Sequence, residues 1–324
     1  MSATIYREMP PVWDPAFRPG FYSRWGRESA IISARTSRAE YGEYRQLLSI
    51  KAAFGGSESY LLRSGRIAVD DDTFLILNAG QQFGSHLRSL RPVHSFAIFF
   101  APGLAERALA SLGQSAEAAL EQPLAAAPVE FAEHLHPHEG SVSPVLRHIH
   151  RAVEAGMADA AWIDEQLEFL LVRMLRLHHR TRATAALIHS VKPGTRAELR
   201  RRIGLGINFI HTNYAGALDL DSMAMASQLS RFHFLRTFSA VLGMTPSAYL
   251  TRKRVAVALR LLRHRELPVA TIAEQVGFGS RATLFRQIRA VTGRSPSAVR
   301  ELADGRAATD LEVDADASYW GTTP

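Results

Sequence analysis

The sequence predicts a two-domain α+β chain: an N-terminal β-barrel with flanking helices, then an all-α domain that uses one helix-turn-helix unit twice. Three observations predict it. The hydrophobic period is near two from about residue 44 to 100 and near 3.6 beyond about residue 196. "GMTPSA" (Gly243 to Ala248) returns as "GRSPSA" (Gly293 to Ala298) at an offset of 50 residues. The charge is uneven as well. Residues 192–306 hold 19 Lys and Arg against 7 Asp and Glu, a net of +12, whereas residues 1–191 carry −1 and residues 307–324 carry −4.

With 324 residues, 47% of them hydrophobic, the chain can build about two cored domains. It has no cysteine, which excludes disulfides, thiolate metal sites and a cysteine nucleophile. No apolar run follows a basic start, and no stretch approaches the roughly 18 apolar residues of a membrane span. The expectation is a cytoplasmic protein with no membrane partner.

Residues 1–43, with Pro10, Pro11, Pro15 and Pro19, read as an irregular arm that covers something later in the chain. From about 44 to 100, "LLSIK", "SYLLR", "RIAVD", "TFLILN" and "HSFAIFF" are short β-rich runs broken by Gly-Gly, Ser-Gly and Asp-Asp-Asp. They read as an antiparallel sheet closing into a small barrel or jelly roll. A helix is expected from 102 to about 120, with Pro102 near its first position, and a Pro- and His-rich loop over 121–144. Residues 162–180 read as a helix with an apolar stripe of Leu167, Leu170, Leu171, Met174, Leu175 and Leu177. Two roles fit that stripe. It packs the helix on its own barrel, or Leu167, Leu170, Leu171 and Met174 form the contact of a homodimer. "HSVKPGT" (189–195) reads as the linker, which divides the chain into 1–190, 191–306 and an acidic tail, 307–324.

The second domain shows helix signals at 196–211, 220–228, 230–242, 247–263, 269–276, 281–292 and 296–303. The 50-residue offset carries inward, pairing Arg236 with Arg286, Phe234 with Leu284, Phe238 with Ile288 and Val241 with Val291. A repeat of this size is one supersecondary unit used twice. Each copy reads as helix, tight turn, helix. Ala224 and Ala273 are small residues where two helices cross, and Ser230 and Ser280 cap the second helix. Ala224 to Arg236 is 12 residues and Ala273 to Arg286 is 13, so the second turn is one residue longer.

The second helix of each pair is two-faced. Phe234, Phe238, Val241 and Leu242 lie on one side, as do Leu284, Ile288 and Val291 in the repeat. Arg231, Phe232, His233, Leu235 and Arg236 point away, as do Arg281, Ala282, Thr283, Phe285 and Arg286. An outward Arg suits bidentate pairing with guanine, and apolar groups suit the thymine methyl. Backbone amides at helix N-termini suit phosphates. Double-stranded DNA is the partner this pattern fits, and its basic charge agrees.

Residues of about 196–303 resemble the DNA-binding domain of the AraC/XylS family of bacterial transcription regulators. The matching stretches are "MAMASQLSRFHFLRTFSAVLGMTPSAYLTRKRVAVALRLL" and "VATIAEQVGFGSRATLFRQIRAVTGRSPSAVR". The resemblance implies two helix-turn-helix units joined by a long helix at about 247–263. It also implies outward residues that read two successive major grooves, RNA polymerase as a further partner, and activation as the commoner mode. Leu284 and Ile288 depart from the phenylalanines usual in the family. More weakly, "GRIAVDDDTFLILNAGQQF" resembles the cupin-like barrel of the family's sensor domain, which implies a small-molecule effector.

A metal-binding cupin would carry a His-x-His pair before this point and a histidine near Phe83, and neither is present. "HLHPH" (134–138) reads as part of a loop outside the barrel, so no metal site is expected. "HLRSLRPVH" gathers His86, Arg88, Arg91 and His94 between two expected strands, as a solvated hairpin or a site for an anionic effector. No Ser/His/Asp order, carboxylate pair or Gly-rich phosphate loop stands out, so neither catalysis nor a cofactor is expected. The reading is a sequence-specific, effector-responsive transcription regulator, with a nonspecific architectural DNA binder, or a cupin-like barrel enzyme fused to a DNA-binding domain, as the alternatives.

Overall fold

The computed structural model describes residues 3–45, 47–113, 129–131, 133–138, 141–186, 193–263 and 267–293. The expected helix at 296–303, the acidic tail and most of the expected linker lie outside them. Two units separate, Met1–Arg182 and Ala183–Pro324. In chain order the first holds β1 (Thr4–Tyr6), α1 (Arg18–Arg24), β2 (Ala30–Arg45), β3 (Ser49–Phe54), β4 (Ser57–Leu62), β5 (Gly65–Asp70), β6 (Thr73–Leu77), β7 (Gln82–Phe99), α2 (Leu104–Gly113), β8 (Leu135–Pro137) and α3 (Ser143–Glu154). Helix α4 (Ala160–Ala186) follows and runs across the boundary at Arg182. The second holds α5 (Pro193–Asn213), α6 (Leu220–Ala226), α7 (Arg231–Leu242), α8 (Pro246–Arg263), α9 (Val269–Gln275) and α10 (Arg281–Thr292).

All eight strands join one sheet in the order β1-β2-β7-β3-β6-β8, with the β4–β5 hairpin attached to β7 through β4. The path is open: among the described residues no pairing joins β1 to β8, so the sheet is not a closed barrel. Strand β7 is the spine, pairing antiparallel with β2, β3 and β4. The apolar runs of β3, β6 and the end of β7 are buried on both faces, as near-continuous hydrophobic strands require. One face, with Ile50, Phe74, Phe96 and Ile98, packs on Leu146 and Ile149 of α3 and Leu170 and Leu171 of α4. The other, with Leu75, Leu77 and Leu87, packs on Tyr60 and Val69 of the hairpin.

Four expectations are corrected. Residues 1–43 are not an irregular arm throughout, because Ala30–Arg45 forms a sixteen-residue strand. Its first residues are buried on both faces, which masks the two-residue period. The "HLHPH" run is no outer loop, because Leu135–Pro137 pairs with β6 and buries His136 and His138. Leu167, Leu170, Leu171 and Met174 are at most 1% exposed inside the helix–sheet core, so that face is turned inward and offers no dimer surface. Finally, His86, Arg88, Arg91 and His94 lie on one continuous strand rather than between two. The register against β2 slips between Arg88 and Val93, and this separates the group: His86, Arg88 and Arg91 are exposed while His94 is buried.

The interior holds polar groups that the sequence reading passed over. A cavity is lined by Trp25, Tyr60, Phe83 and Phe99 around Lys51, Glu58 and Ser95, with Met9, Pro10 and Val12 at its side. Tyr41 Oη donates to the Pro10 carbonyl at 2.9 Å, which holds that segment in place. Lys51 is 2% exposed, with Nζ 3.5 Å from the centre of the Phe99 ring, and Ser95 Oγ donates to Glu58 at 2.6 Å. Burial lowers the Lys51 pKa to about 7, against the opposing pull of Glu58. Between about pH 7 and the ordinary lysine value of 10.5, the unfolded chain therefore binds the extra proton. Stability should rise with pH across that window, by at most about 1.4 kcal/mol per unit. Urea unfolding followed by tryptophan fluorescence should show the rise, and Lys51→Met should flatten it. An equal slope in the variant would refute the assignment.

Candidate nucleic-acid interface

The two helix-turn-helix units are built from the same local parts. Asp219 opens α6, where its side chain accepts from the Ser222 amide at 2.8 Å in a reciprocal cap. The helix then turns back on itself: the Leu229 amide donates to the Ala224 carbonyl at 3.0 Å, with Gln228 left-handed at φ 54°. In the second unit the Phe278 amide donates to the Ala273 carbonyl at 2.9 Å, with Gly277 at φ 82°. Both are the six-to-one closure of a Schellman ending. Four residues, 227–230, follow α6 and five, 276–280, follow α9, so the second turn is one residue longer. Gly279, at φ 66°, lies in that longer turn. Ser230 and Ser280 cap α7 and α10 by accepting from the amides of His233 and Thr283. Gly243 and Gly293, at φ 68° and 70°, end both helices.

Each second helix has one buried and one open face. Phe234 and Phe238 are fully buried, edge to face at 5.2 Å, over Ala224 and Met223. Leu284 and Ile288 are equally buried, over Ile272, Ala273 and Val276. Aliphatic side chains therefore close the second core where the first uses aromatic rings. On the open faces Arg231, Phe232, His233 and Arg236 are exposed in the first unit, and Arg281, Ala282 and Arg286 in the second. Phe232, at 74% exposure, is a large ring with no core role. Leu235, Thr283 and Phe285 are half-buried at the margins of these faces. Thr283 also belongs to the cap, since its hydroxyl accepts from Ser280 Oγ at 3.0 Å. The Arg281 guanidinium lies 4.9 Å from the Phe285 ring centre, and Arg231 reaches Asp221 at 3.2 Å. The latter pair is exposed on both sides, which limits it to about 0–1 kcal/mol.

Other arginines of the basic unit hold the scaffold, a role the sequence reading missed. Arg202 Nη1 donates to the Gln228 carbonyl at 2.9 Å, pinning the first turn to α5. Arg254 Nε and Nη2 donate to the carbonyls of Tyr214 and Gly216 at 2.8 and 2.7 Å, pinning α8 to the α5–α6 loop. No local pattern distinguishes them from their neighbours, because their partners are backbone carbonyls 26 to 40 residues away.

Gly277 joins these features. A side chain there would place Cβ 2.7 Å from the Ala215 carbonyl oxygen and 2.9 Å from Arg254 Nη2, in a left-handed backbone. Gly277→Ala should therefore destabilise the unit by about 1–3 kcal/mol, through backbone strain and loss of the Arg254 anchor. Urea unfolding followed by circular dichroism checks it. Unchanged stability would mean that the loop yields freely.

A family model described as a helix-turn-helix domain matches residues 223–302. The HTH-type transcriptional activator AarP of Providencia stuartii is 32% identical over 92 residues, covering 28% of this chain and 68% of AarP. A Streptomyces antibioticus protein described as an AraC-like transcription regulator is 30% identical over 167 residues, 51% of this chain and 53% of that protein. The chain thus spans about half the length of that relative. Among solved structures, the DNA-binding domain of AdpA, determined in complex with a target DNA, is 27% identical with a TM-score of 0.32, covering 33% of this chain and 97% of that domain. With its repeated helix-turn-helix unit and these relatives, the chain belongs to the AraC/XylS family of transcription regulators.

Proposed function

We propose that the chain is a sequence-specific DNA-binding transcription regulator, working as an activator, whose N-terminal unit responds to a small-molecule effector. The observation that carries the proposal is the pair of matched open faces, each with an exposed arginine at the same helical position, Arg236 and Arg286, on helices capped alike. In this reading the two arginines pair with guanine edges, and Phe232 and Ala282 meet thymine methyls. Amides at the starts of α7 and α10 meet phosphates. An architectural binder that holds phosphates alone has no use for Phe232 at 74% exposure.

The effector reading moves from His86, Arg88, Arg91 and His94 to the interior cavity. Aromatic walls around a buried lysine and carboxylate suit a small ligand with an apolar body and one ionised or strongly polar group. Strands β2, β3, β4 and β7 on one side of that cavity, with α1 and the N-terminal segment on the other, support a cupin-like sensor.

Arg236→Ala and Arg286→Ala should each cost roughly 1–3 kcal/mol of binding and relax base preference at one part of the site. The parts should lie about one DNA turn, ~34 Å, apart. The two losses should nearly add, because the helices belong to separate cores. Selection from a randomised DNA pool, with footprinting of the full chain, tests this. Variants that lose affinity but keep the original base preference would make both arginines backbone clamps.

Salt gives a second check. Residues 192–306, with a net charge of +12, should release counterions on binding, so log K should fall linearly with log salt. Titration at several salt concentrations measures the slope, and a flat affinity would remove phosphate contact from the reading.

A further inference from the structure

Helix α3 carries His150 and Glu154 four residues apart, on the face that meets His94 of β7 and Ser33 of β2. Two elements distant in sequence, α3 and β7, thus bring two imidazoles and a carboxylate together, with one ligand atom of each within 4.8 Å of the others. The group lies at the rim of the helix–sheet core, against the rings of Phe54, 4.4 Å from His150, and Phe96, 5.0 Å. It is no part of the DNA-facing helices, and none of its three ligand residues lines the cavity around Lys51.

The hydrogen bonds define its chemistry. Ser33 Oγ donates to Glu154 Oε1 at 2.9 Å, so His94 Nε2 donates to Ser33 Oγ, also at 2.9 Å. That leaves the lone pair of His94 Nδ1 directed at His150 Nε2, 3.1 Å away. Two ring nitrogens share one proton there. Their separation is close to the roughly 3.3 Å edge of a zinc tetrahedron with bonds of about 2.0–2.1 Å. Glu154 Oε1 lies 3.4 Å from His94 Nε2, the nitrogen turned away from His150, and its side chain is 31% exposed, so the carboxylate joins the set by swinging round towards the Nδ1 side. Ser33 then orients His94 from its other nitrogen, as a partner behind a metal-binding imidazole does.

We propose that His94 Nδ1, His150 Nε2 and the Glu154 carboxylate bind one divalent transition-metal ion of the zinc class, clamping α3 to the sheet. Two imidazoles and a carboxylate are a borderline donor set that suits Zn2+ over Mg2+ or Ca2+, and three protein ligands leave a position for water. On binding, the proton between the two rings is given up, as a metal ligand requires, and both facing lone pairs are then available. Arg35 opposes the site: its guanidinium lies 3.5 Å from Glu154 Oε2. At 71% exposure it can swing aside.

The full-length chain, stripped with EDTA and titrated with Co2+ as a spectroscopic stand-in, tests the proposal. The expected result is one equivalent bound with ligand-field absorption, displaced by Zn2+, and a melting temperature raised by either ion. Glu154→Gln and His150→Gln should weaken binding about tenfold or more. Arg35→Met should strengthen it, and His179→Ala, on an exposed histidine of α4, should leave it unchanged. Glu154 is a surface residue, so its variant decides the matter even if changes at His94 impair folding. No saturable uptake, or equal uptake by the Glu154 and His150 variants, would overturn the site.

Discussion

The DNA-binding unit depends on one local constraint: the last turn of the first helix of each pair must hold a small residue whose carbonyl closes the turn. Ala224 and Ala273 meet it. Each is at most 3% exposed beneath the second helix, and each accepts the amide five residues on. A larger side chain would push the second helix outward and move its open face. Everything that gives Arg236 and Arg286 equivalent positions follows from this closure, from the serine that starts the next helix and from the glycine that ends it. These parts are short-range, so two copies of the sequence build two copies of the closure, and arginines from α5 and α8 then anchor the turns.

That is also why this part was legible in the sequence. Caps, crossing alanines and the extra residue of the second turn are all local, and the 50-residue offset displays them twice. The N-terminal unit was legible only in outline, because its decisive pairings are long-range. Strand β2 is buried on both faces at its start, so the period of two that should announce it is lost. Three-residue β8 was hidden in a histidine-rich run and earns its place only by pairing with β6. His94 was visible, but as a neighbour of His86 and Arg88. Its actual companions are 56 and 60 residues on, at positions 150 and 154, and the turn-to-turn spacing of those two was the one available signal. Lys51 left a fainter trace: a lone charge at an inward position of an apolar strand, with Glu58 in the next.

The same distinction bears on the charge. A net of +12 invites the view that every arginine of the unit faces DNA. Arg202 and Arg254 instead donate to main-chain carbonyls, while Arg236 and Arg286 stand exposed on the second helices. A loop carbonyl left without a partner is costly where water is excluded, and a guanidinium can serve two such groups at once. The charge is thus divided by position in the fold, between arginines bonded to the main chain and arginines left open on the second helices. Loss of a scaffold arginine acts on stability first and on DNA only through it.

The two copies are alike in frame but differ in material. The first places Gln228 in the left-handed position of its turn and fills its core with Phe234 and Phe238. The second gives that position to Gly277 and packs Leu284 and Ile288. A non-glycine residue in that region is strained by the order of 1–2 kcal/mol, so the first turn stores strain that the second avoids. Arg202 bonds the carbonyl of that very residue, an anchor suited to holding a strained turn. The second turn has one more residue and a second left-handed glycine, Gly279, and its anchor is the Arg254 contact beside Gly277. Evolution of a repeated module need not conserve the means, only the closure: strain held by an arginine in one copy, and glycine relief beside an arginine in the other, arrive at the same helix–turn–helix.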